Sequence, residues 1–371
     1  MKSMKKIVIS GTPYERGLSY GRQAGEDIRG SIENYRRLFN ESADHIRYDA
    51  ALDEAMKLLA AIEELAPEQV EEMRGIAQGA QLDFRDIVLL NCRSEVFALT
   101  PVAENPDAAE ECTDLAVMPE RTVDGHLIVS QNWDMLHWAG DHALVLEILR
   151  EDGPDILCVT EAGMLCRYGI NQNGLALTLS SIPLGRVDRV SGTPSIAIRR
   201  KFLSEAHFAN GYGHIMKAAH MTGMHYNIGG GRVMGMAMSI EAYPDGKYVS
   251  YARDGVLAQA NNSCYPGVWY PNRFMGSTLY RAEILRRLML SKERVSVQDV
   301  MDALNNKAGA PYSVCAERTP GKPEFEQGCT LAGIVMDATD CRLWVRYGND
   351  PSVPFVEYPW SRPEKVARAS S

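Results

Sequence analysis

From Tyr14 to Gln81 the apolar positions recur with a helical period, whereas beyond Cys112 they alternate or run together as in β-strands. A short apolar run at 6–10 is predicted as a strand. Gly11-Thr12-Pro13 follows, with Thr12 placed to cap a helix and Pro13 at its first position. Breaks in the helical stretch are expected near Asn40 and at Pro67. Between them Leu52, Met56, Leu59 and Ile62 are predicted to share one face. A further helix is predicted over 83–92. Residues 100–111, rich in Pro, Ala, Asn and acidic side chains, carry no periodicity and read as a loop.

Strands are then predicted at 112–118 and 126–132, around a turn containing Pro119 and Asp124-Gly125. More are predicted at 143–149, 156–161, 165–170, 175–181, 233–242, 248–252, 331–336 and 343–347, with helices over 195–208, 215–221, 278–290 and 297–305. Hairpins with helical blocks between them, rather than strand-helix-strand crossovers, point to an α+β protein with antiparallel sheets.

The length of 371 residues, 45% of them hydrophobic, suits one large domain or two intimate ones. A net charge of -9 gives no attraction for phosphate backbones, so nucleic acid is not an expected partner. No apolar run approaches the roughly 18 residues of a membrane span, and the run after Lys6 is too short for a signal sequence. No membrane partner is expected, and the cytoplasm is the expected compartment. The eight cysteines include no close pairs, so neither a disulfide framework nor structural zinc is indicated. No metal and no resident cofactor are expected.

Gly17-Leu18-Ser19-Tyr20-Gly21 matches the nucleophile elbow of α/β-hydrolases, but that turn follows a strand directly and Ser19 falls inside a predicted helix. Gly229-Gly230-Gly231 lacks a phosphate-loop Lys and is read as a turn before a strand. His207, His214, His220 and His225 show no zinc-enzyme spacing. Met234, Met236 and Met238 alternate as one strand face, a methionine-lined core in one reading. In the other, together with Trp133, they form part of an adaptable acyl pocket.

The sharpest constellation surrounds Cys112. Pairing Val117 with Leu127 across the hairpin places Cys112 opposite Asn132, beside Gln131, Trp133 and Asp134. A cysteine at a strand start after an irregular loop suits an N-terminal nucleophile. Cleavage between Glu111 and Cys112 frees an α-amine of pKa about 7.7 to 8.0, near enough to neutrality to serve as base for its own thiol. An ordinary hairpin with a buried cysteine fits the spacing equally well.

The chain resembles the isopenicillin N acyltransferase (acyl-coenzyme A:6-aminopenicillanic acid acyltransferase) family of Ntn hydrolases over nearly its whole length. The resemblance rests on Gly11-Thr12-Pro13, Leu90-Asn91-Cys92-Arg93-Ser94-Glu95, Cys112-Thr113 and Gln131-Asn132-Trp133-Asp134. Thr160-Glu161-Ala162-Gly163, Ala260-Asn261, Tyr312-Ser313-Val314-Cys315 and Thr330-Leu331 extend it. It implies a four-layer αββα sandwich and a precursor that cuts itself before Cys112. The products would be a helical fragment 1–111 and a catalytic core 112–371, held together as one compact unit. It further implies Cys112 as nucleophile and base, Asp134 as the holder of the new amine, and Asn261 as oxyanion donor. Gln131 stands where related choloylglycine hydrolases carry arginine. The implied reaction cleaves or makes a linear amide through acyl-Cys112, with an amide or an acyl thioester such as acyl-coenzyme A as donor and water or an amine as acceptor.

Two positions depart from the family. Glu111 replaces the glycine that precedes the nucleophile in the penicillin enzyme, and Ala316 replaces a functional arginine, with Arg318 two residues on. A protein of this fold that has lost catalysis and serves binding or assembly is the alternative reading.

Overall fold

The computed structural model describes residues 3–42, 45–99, 112–182, 190–265 and 277–363. The chain enters through β1 (Lys5–Ile9) and turns at once into α1 (Pro13–Glu41). Thr12 caps this helix as expected: its hydroxyl accepts from Glu15 N at 3.4 Å, and the Glu15 carboxylate accepts from Thr12 N at 2.8 Å. Helices α2 (Tyr48–Lys57), α3 (Leu59–Leu65), α4 (Pro67–Ala80) and α5 (Phe84–Phe97) complete the first layer. The buried ridge of α2 and α3 is Ala51, Ala55, Leu58 and Ile62; Leu52, Met56 and Leu59 are only half-buried. In α2 the buried stripe is turned by one position from the predicted one, onto the two alanines, while Ile62 keeps its predicted place.

Gly17 and Gly21 are explained by packing. A Cβ on Gly17 would lie 1.9 Å from Glu72 O, and one on Gly75 would lie 2.2 Å from Tyr14 O. The glycines therefore bring α1 and α4 backbone to backbone. Ser19 sits within α1 and accepts a hydrogen bond from Gln23 Nε2 at 2.9 Å.

The hairpin that follows is β2 (Thr113–Val117) and β3 (Ile128–Leu136), then β4 (Ala143–Ile148), β5 (Ile156–Glu161), β6 (Tyr168–Asn171) and β7 (Leu175–Ile182). Helices α6 (Ser195–Ser204) and α7 (Phe208–Lys217) precede β8 (Gly223–Gly230), β9 (Met236–Tyr243), β10 (Gly246–Tyr251) and β11 (Val256–Gln259). Helices α8 (Thr278–Leu290) and α9 (Val297–Leu304) lead into β12 (Gly328–Asp337), β13 (Arg342–Tyr347) and β14 (Val356–Glu357).

Eight strands form one sheet in the order β1-β4-β5-β6-β7-β8-β9-β10, and six form the other in the order β11-β2-β3-β12-β13-β14. Only β1 and β4 pair in parallel among these strands. The sheets face each other through β2, β3 and β7, with α1 and α6 on the outside of the first and α8 and α9 on the outside of the second. This is the four-layer αββα sandwich.

The sequence misses β8, β11 and the two-residue β14. Every residue of β8 is buried, so no alternation marks it, and β11 is four residues long. Gly229 and Gly230 close β8 and only Gly231 lies in the turn, which also contains Met234. The predicted methionine face is corrected accordingly: Met234 is exposed, Met236 half-buried and only Met238 belongs to the core.

The helical layer is tied to the strands and to α6 by buried polar contacts. Asn91 donates to Gly163 O at 3.0 Å and accepts from Leu165 N at 2.9 Å. Tyr35 donates to Glu161 Oε2 at 2.9 Å, and Glu95 accepts from Ser195 N at the start of α6 at 2.8 Å. Glu72 receives Arg200 through two bonds of 2.9 Å and Arg16 at 3.2 Å, all three side chains being buried. Glu72→Gln strands two buried guanidinium groups without their anion. An expected loss of about 3 kcal/mol should appear as a lower denaturant midpoint at unchanged slope.

Candidate active site

The hairpin register differs by one residue from the predicted one. Val117 faces Ile128 and Thr113 faces Asn132. Leu127 is withdrawn from the ladder because its N–H donates to Thr339 Oγ1 at 3.0 Å and its carbonyl accepts from Ala338 N at 2.8 Å. A slip of one residue exchanges faces. Continued by one step, this register sets Cys112 opposite Trp133, so the thiol shares the inter-sheet face with Trp133 and Gln131. Asp134 projects to the other face with Asn132 and its β12 partner Thr330.

Cys112 is buried, its Sγ 3.8 Å from Asp134 O and 3.9 Å from the Tyr168 hydroxyl. Tyr168 stands edge-on to Trp133 at 6.1 Å between centroids, and the Arg167 guanidinium lies 4.8 Å over the Trp133 ring while donating to Tyr168 Oη at 3.0 Å. On the opposite side Arg281, fully buried on α8, donates to Cys112 O at 2.8 Å, to Thr113 Oγ1, and to Asn261 Oδ1 at 3.1 Å. Ser277 Oγ accepts from its Nε at 2.8 Å. A guanidinium only donates, so Arg281 fixes the Asn261 amide with oxygen toward itself and nitrogen toward Ser181 O at 2.9 Å. Two permanently charged side chains thus stand near Cys112, the residue just before β2, Arg281 directly and Arg167 through Tyr168, an arrangement that favours negative charge developing there.

Sequence reasoning did not single out Arg281, Arg167 or Tyr168. A signal existed for the first: Arg281 shares the spacing of Thr278, Leu285 and Met289, the buried stripe of α8. Gln131, on the thiol's face, has an amide that bridges the sheets, donating to Leu179 O at 2.7 Å and accepting from Leu179 N at 3.2 Å. Arg318 is half-exposed, 3.4 Å from Glu324 and 3.1 Å from His137, and lines a cleft of about 580 Å³ with Lys307, Thr330 and Asn349. Cys112 is not among the residues lining that cleft. Ala316 is held by backbone bonds to Thr330 and Asn349, and a buried guanidinium reaches this neighbourhood from β13, Arg346 donating to Cys315 Sγ at 3.3 Å. Glu111 and the loop 100–111 lie outside the described residues.

Asp114 occupies the same inter-sheet face two residues after Cys112, with the Ser180 hydroxyl donating to it. Burial raises its carboxyl to about 7, against the help of Ser180 and Thr178. The folded protein therefore binds this proton over a range in which the unfolded chain, ionising near 3.8, does not. Stability falls as pH rises between these values, and above 7 the cost is complete, with a ceiling of ~4 kcal/mol. Asp114→Asn should remove that slope. Its thermal midpoint should match wild type near pH 4 and exceed it at pH 8; equal midpoints at pH 8 would refute the assignment.

Two facing, mostly antiparallel sheets between helical layers define the class: an α+β sandwich of αββα type. Within that class the chain belongs to the acyl-coenzyme A:6-aminopenicillanic acid acyl-transferase family, whose match covers residues 121–351 and so begins beyond Cys112. A curated relative, the 40 kDa form of acyl-coenzyme A:6-aminopenicillanic-acid-acyltransferase from Emericella nidulans, is 26% identical over 362 residues, 95% of this chain and 96% of the relative. Among solved structures, a Caenorhabditis elegans N-acylethanolamine-hydrolyzing acid amidase ortholog aligns with a TM-score of 0.45 at 12% identity, over 62% of this chain and 93% of its own. Penicillin V acylase from Agrobacterium tumefaciens aligns with a TM-score of 0.42 at 13% identity, over 66% of this chain and 86% of its own. Among the described residues, no helix is long and apolar enough to cross a membrane.

Proposed function

We propose that this protein is a self-processing cysteine amidohydrolase or N-acyltransferase in which Cys112, freed at its amino end, forms an acyl-enzyme. The observation that carries this reading is the Arg281 bridge, which holds the Cys112 carbonyl and the Asn261 amide in one network. Processing consists of attack by the Cys112 thiol on the Glu111 carbonyl, transfer of that acyl group from nitrogen to sulfur, and hydrolysis of the thioester. Fragments 1–111 and 112–371 result. The freed amine lies in the plane of the sheet, between the face that carries the thiol and the face that carries Asp134.

In turnover the amine accepts the thiol proton, Sγ attacks the acyl carbon, and the ammonium returns the proton to the leaving group. Asp134 stabilises the ammonium, and Asn261, oriented by Arg281, donates to the oxyanion once its nitrogen turns from Ser181. Water or an amine then takes the acyl group from Cys112. Trp133 and Tyr168, beside the thiol, supply an apolar and aromatic wall for the acyl chain, a role that the exposed Met234 cannot share.

Incubation with an aromatic acyl thioester or amide, followed by quench and peptide mass mapping, tests the reading. The acyl mass is expected on Cys112, and the ratio of free acid to new amide across a panel of amines separates hydrolase from transferase. A processed protein that never acylates at Cys112 refutes the enzyme and leaves the binding or assembly role.

A further inference from the structure

Three side chains of metal-ligating type from separate parts of the chain meet outside the Cys112 region. His225 on β8 and Glu241 on β9 are direct register partners, and Cys264 lies in the segment after β11. One donor atom from each, an imidazole nitrogen, a carboxylate oxygen and Sγ, all lie within 4.8 Å of one another. The other histidines of this stretch are occupied differently, His214 with Glu205 at 2.9 Å and His220 with the Tyr226 hydroxyl at 3.1 Å.

Two observations separate the cluster from an ordinary buried pair. His225 is fully buried, its ring set by an Nδ1 contact of 2.7 Å with Ser239 Oγ, and Nε2 faces Glu241 Oε1 at 3.5 Å. Glu241 is also fully buried. Its Oε2 accepts from Ser263 Oγ at 2.6 Å and from the Tyr243 hydroxyl, while Oε1 accepts from Cys264 N at 2.8 Å and keeps a lone pair toward the imidazole. Ligation of a cation through Nε2 requires the tautomer with its proton on Nδ1, and Ser239 Oγ is placed to accept that proton. The cation then occupies the space between Nε2 and Glu241 Oε1.

We propose that His225, Glu241 and Cys264 bind one thiophilic divalent cation of the zinc type. Nitrogen, oxygen and sulfur donors suit zinc, whose bond lengths of about 2.0 to 2.3 Å set ligands roughly 3.5 Å apart, within reach of a small swing of the exposed Cys264 side chain. On binding, the ion replaces the Cys264 thiol proton, which passes to solvent. The thiolate and carboxylate then neutralise the two positive charges, so the site carries no net charge. Solvent on the exposed side of Cys264 gives the ion an entry path and a fourth ligand. Asn261 lies three residues earlier, so an occupied site stiffens the segment that carries it.

The test uses the full chain with Cys112→Ala, because a freed amino-terminal cysteine would itself chelate metal. After reduction and chelator removal, cobalt(II) titration is expected to give thiolate-to-cobalt charge-transfer absorption saturating at one equivalent and reversed by zinc. Zinc should slow iodoacetamide alkylation of Cys264 by at least about tenfold. Cys264→Ser, which keeps a hydroxyl to donate to Gln259 Oε1, should abolish the charge-transfer absorption; His225→Gln should weaken cobalt binding by at least about tenfold. No charge-transfer absorption, or the same absorption in Cys264→Ser, overturns the proposal.

Discussion

Cys112→Ala should remain a single chain of 371 residues by intact mass, whereas wild type should resolve into fragments 1–111 and 112–371 under denaturing conditions. In the proposed mechanism the thiol attacks the preceding carbonyl, and the amine is unavailable as base while it is an amide nitrogen. One substitution therefore removes both processing and turnover. Acyl transfer should fall by at least about 10³-fold, while stability should change by only about 1 kcal/mol, since a small buried side chain loses one atom. In native solution wild type should still run as one species. The fragment before Cys112 contributes β1 to the eight-stranded sheet, and Asn91, Tyr35, Glu95 and Glu72 bond across the cut. In the proposed processing step Glu111 works against rapid cleavage, because its negative charge disfavours attack on its own carbonyl. Wild type that keeps only its full-length mass on ageing would defeat the amine-as-base mechanism.

Asp134→Asn should leave a folded protein whose kcat is reduced by about 10² to 10⁴. The carboxylate lies on the face of β3 opposite the thiol, with the backbone nitrogen of Cys112 in the plane between. In the proposed mechanism its contribution is charge, which holds and orients the ammonium form through each proton transfer. The amide keeps the shape and the packing against Thr330 but loses that charge. A separate reading of the substitution is available at Cys329, whose thiol burial pushes up to about 12 with Asp134 adding to the shift. In the folded variant this thiol should titrate at lower pH. Wild-type kcat in the folded Asp134→Asn protein would remove the carboxylate from the mechanism.

Much of this architecture is written in the local chain. Thr12-Pro13 and Glu15 form a capping box from four consecutive residues, and the apolar stripe of 278–290 gives α8 at its observed bounds. The strand at 156–161 is likewise local, and so is the placement of Cys112 at the head of a hairpin. In each case the forces reach no further than a helical turn or a neighbouring pair of strand residues. What escaped the sequence depends on partners far along the chain. The hairpin slipped by one residue because Leu127 is held by Ala338 and Thr339, contacts that no local pattern encodes. Strand β8 lost its alternation because both its faces are covered.

The site divides in the same way. The sequence by itself determined the nucleophile candidate, the Gln131–Asp134 strand beside it and, through the family resemblance, Asn261. Only the tertiary structure decided which side chains share the thiol's face, that Gln131 ties one sheet to the other, and that Arg281 joins Cys112 to Asn261. It also decided that His225, Glu241 and Cys264 converge. The physical reason is common to all of these. Hydrogen bonds and ion contacts of buried groups are chosen by whichever partner the packing of the two sheets and their helices delivers, and sequence spacing carries no record of that choice.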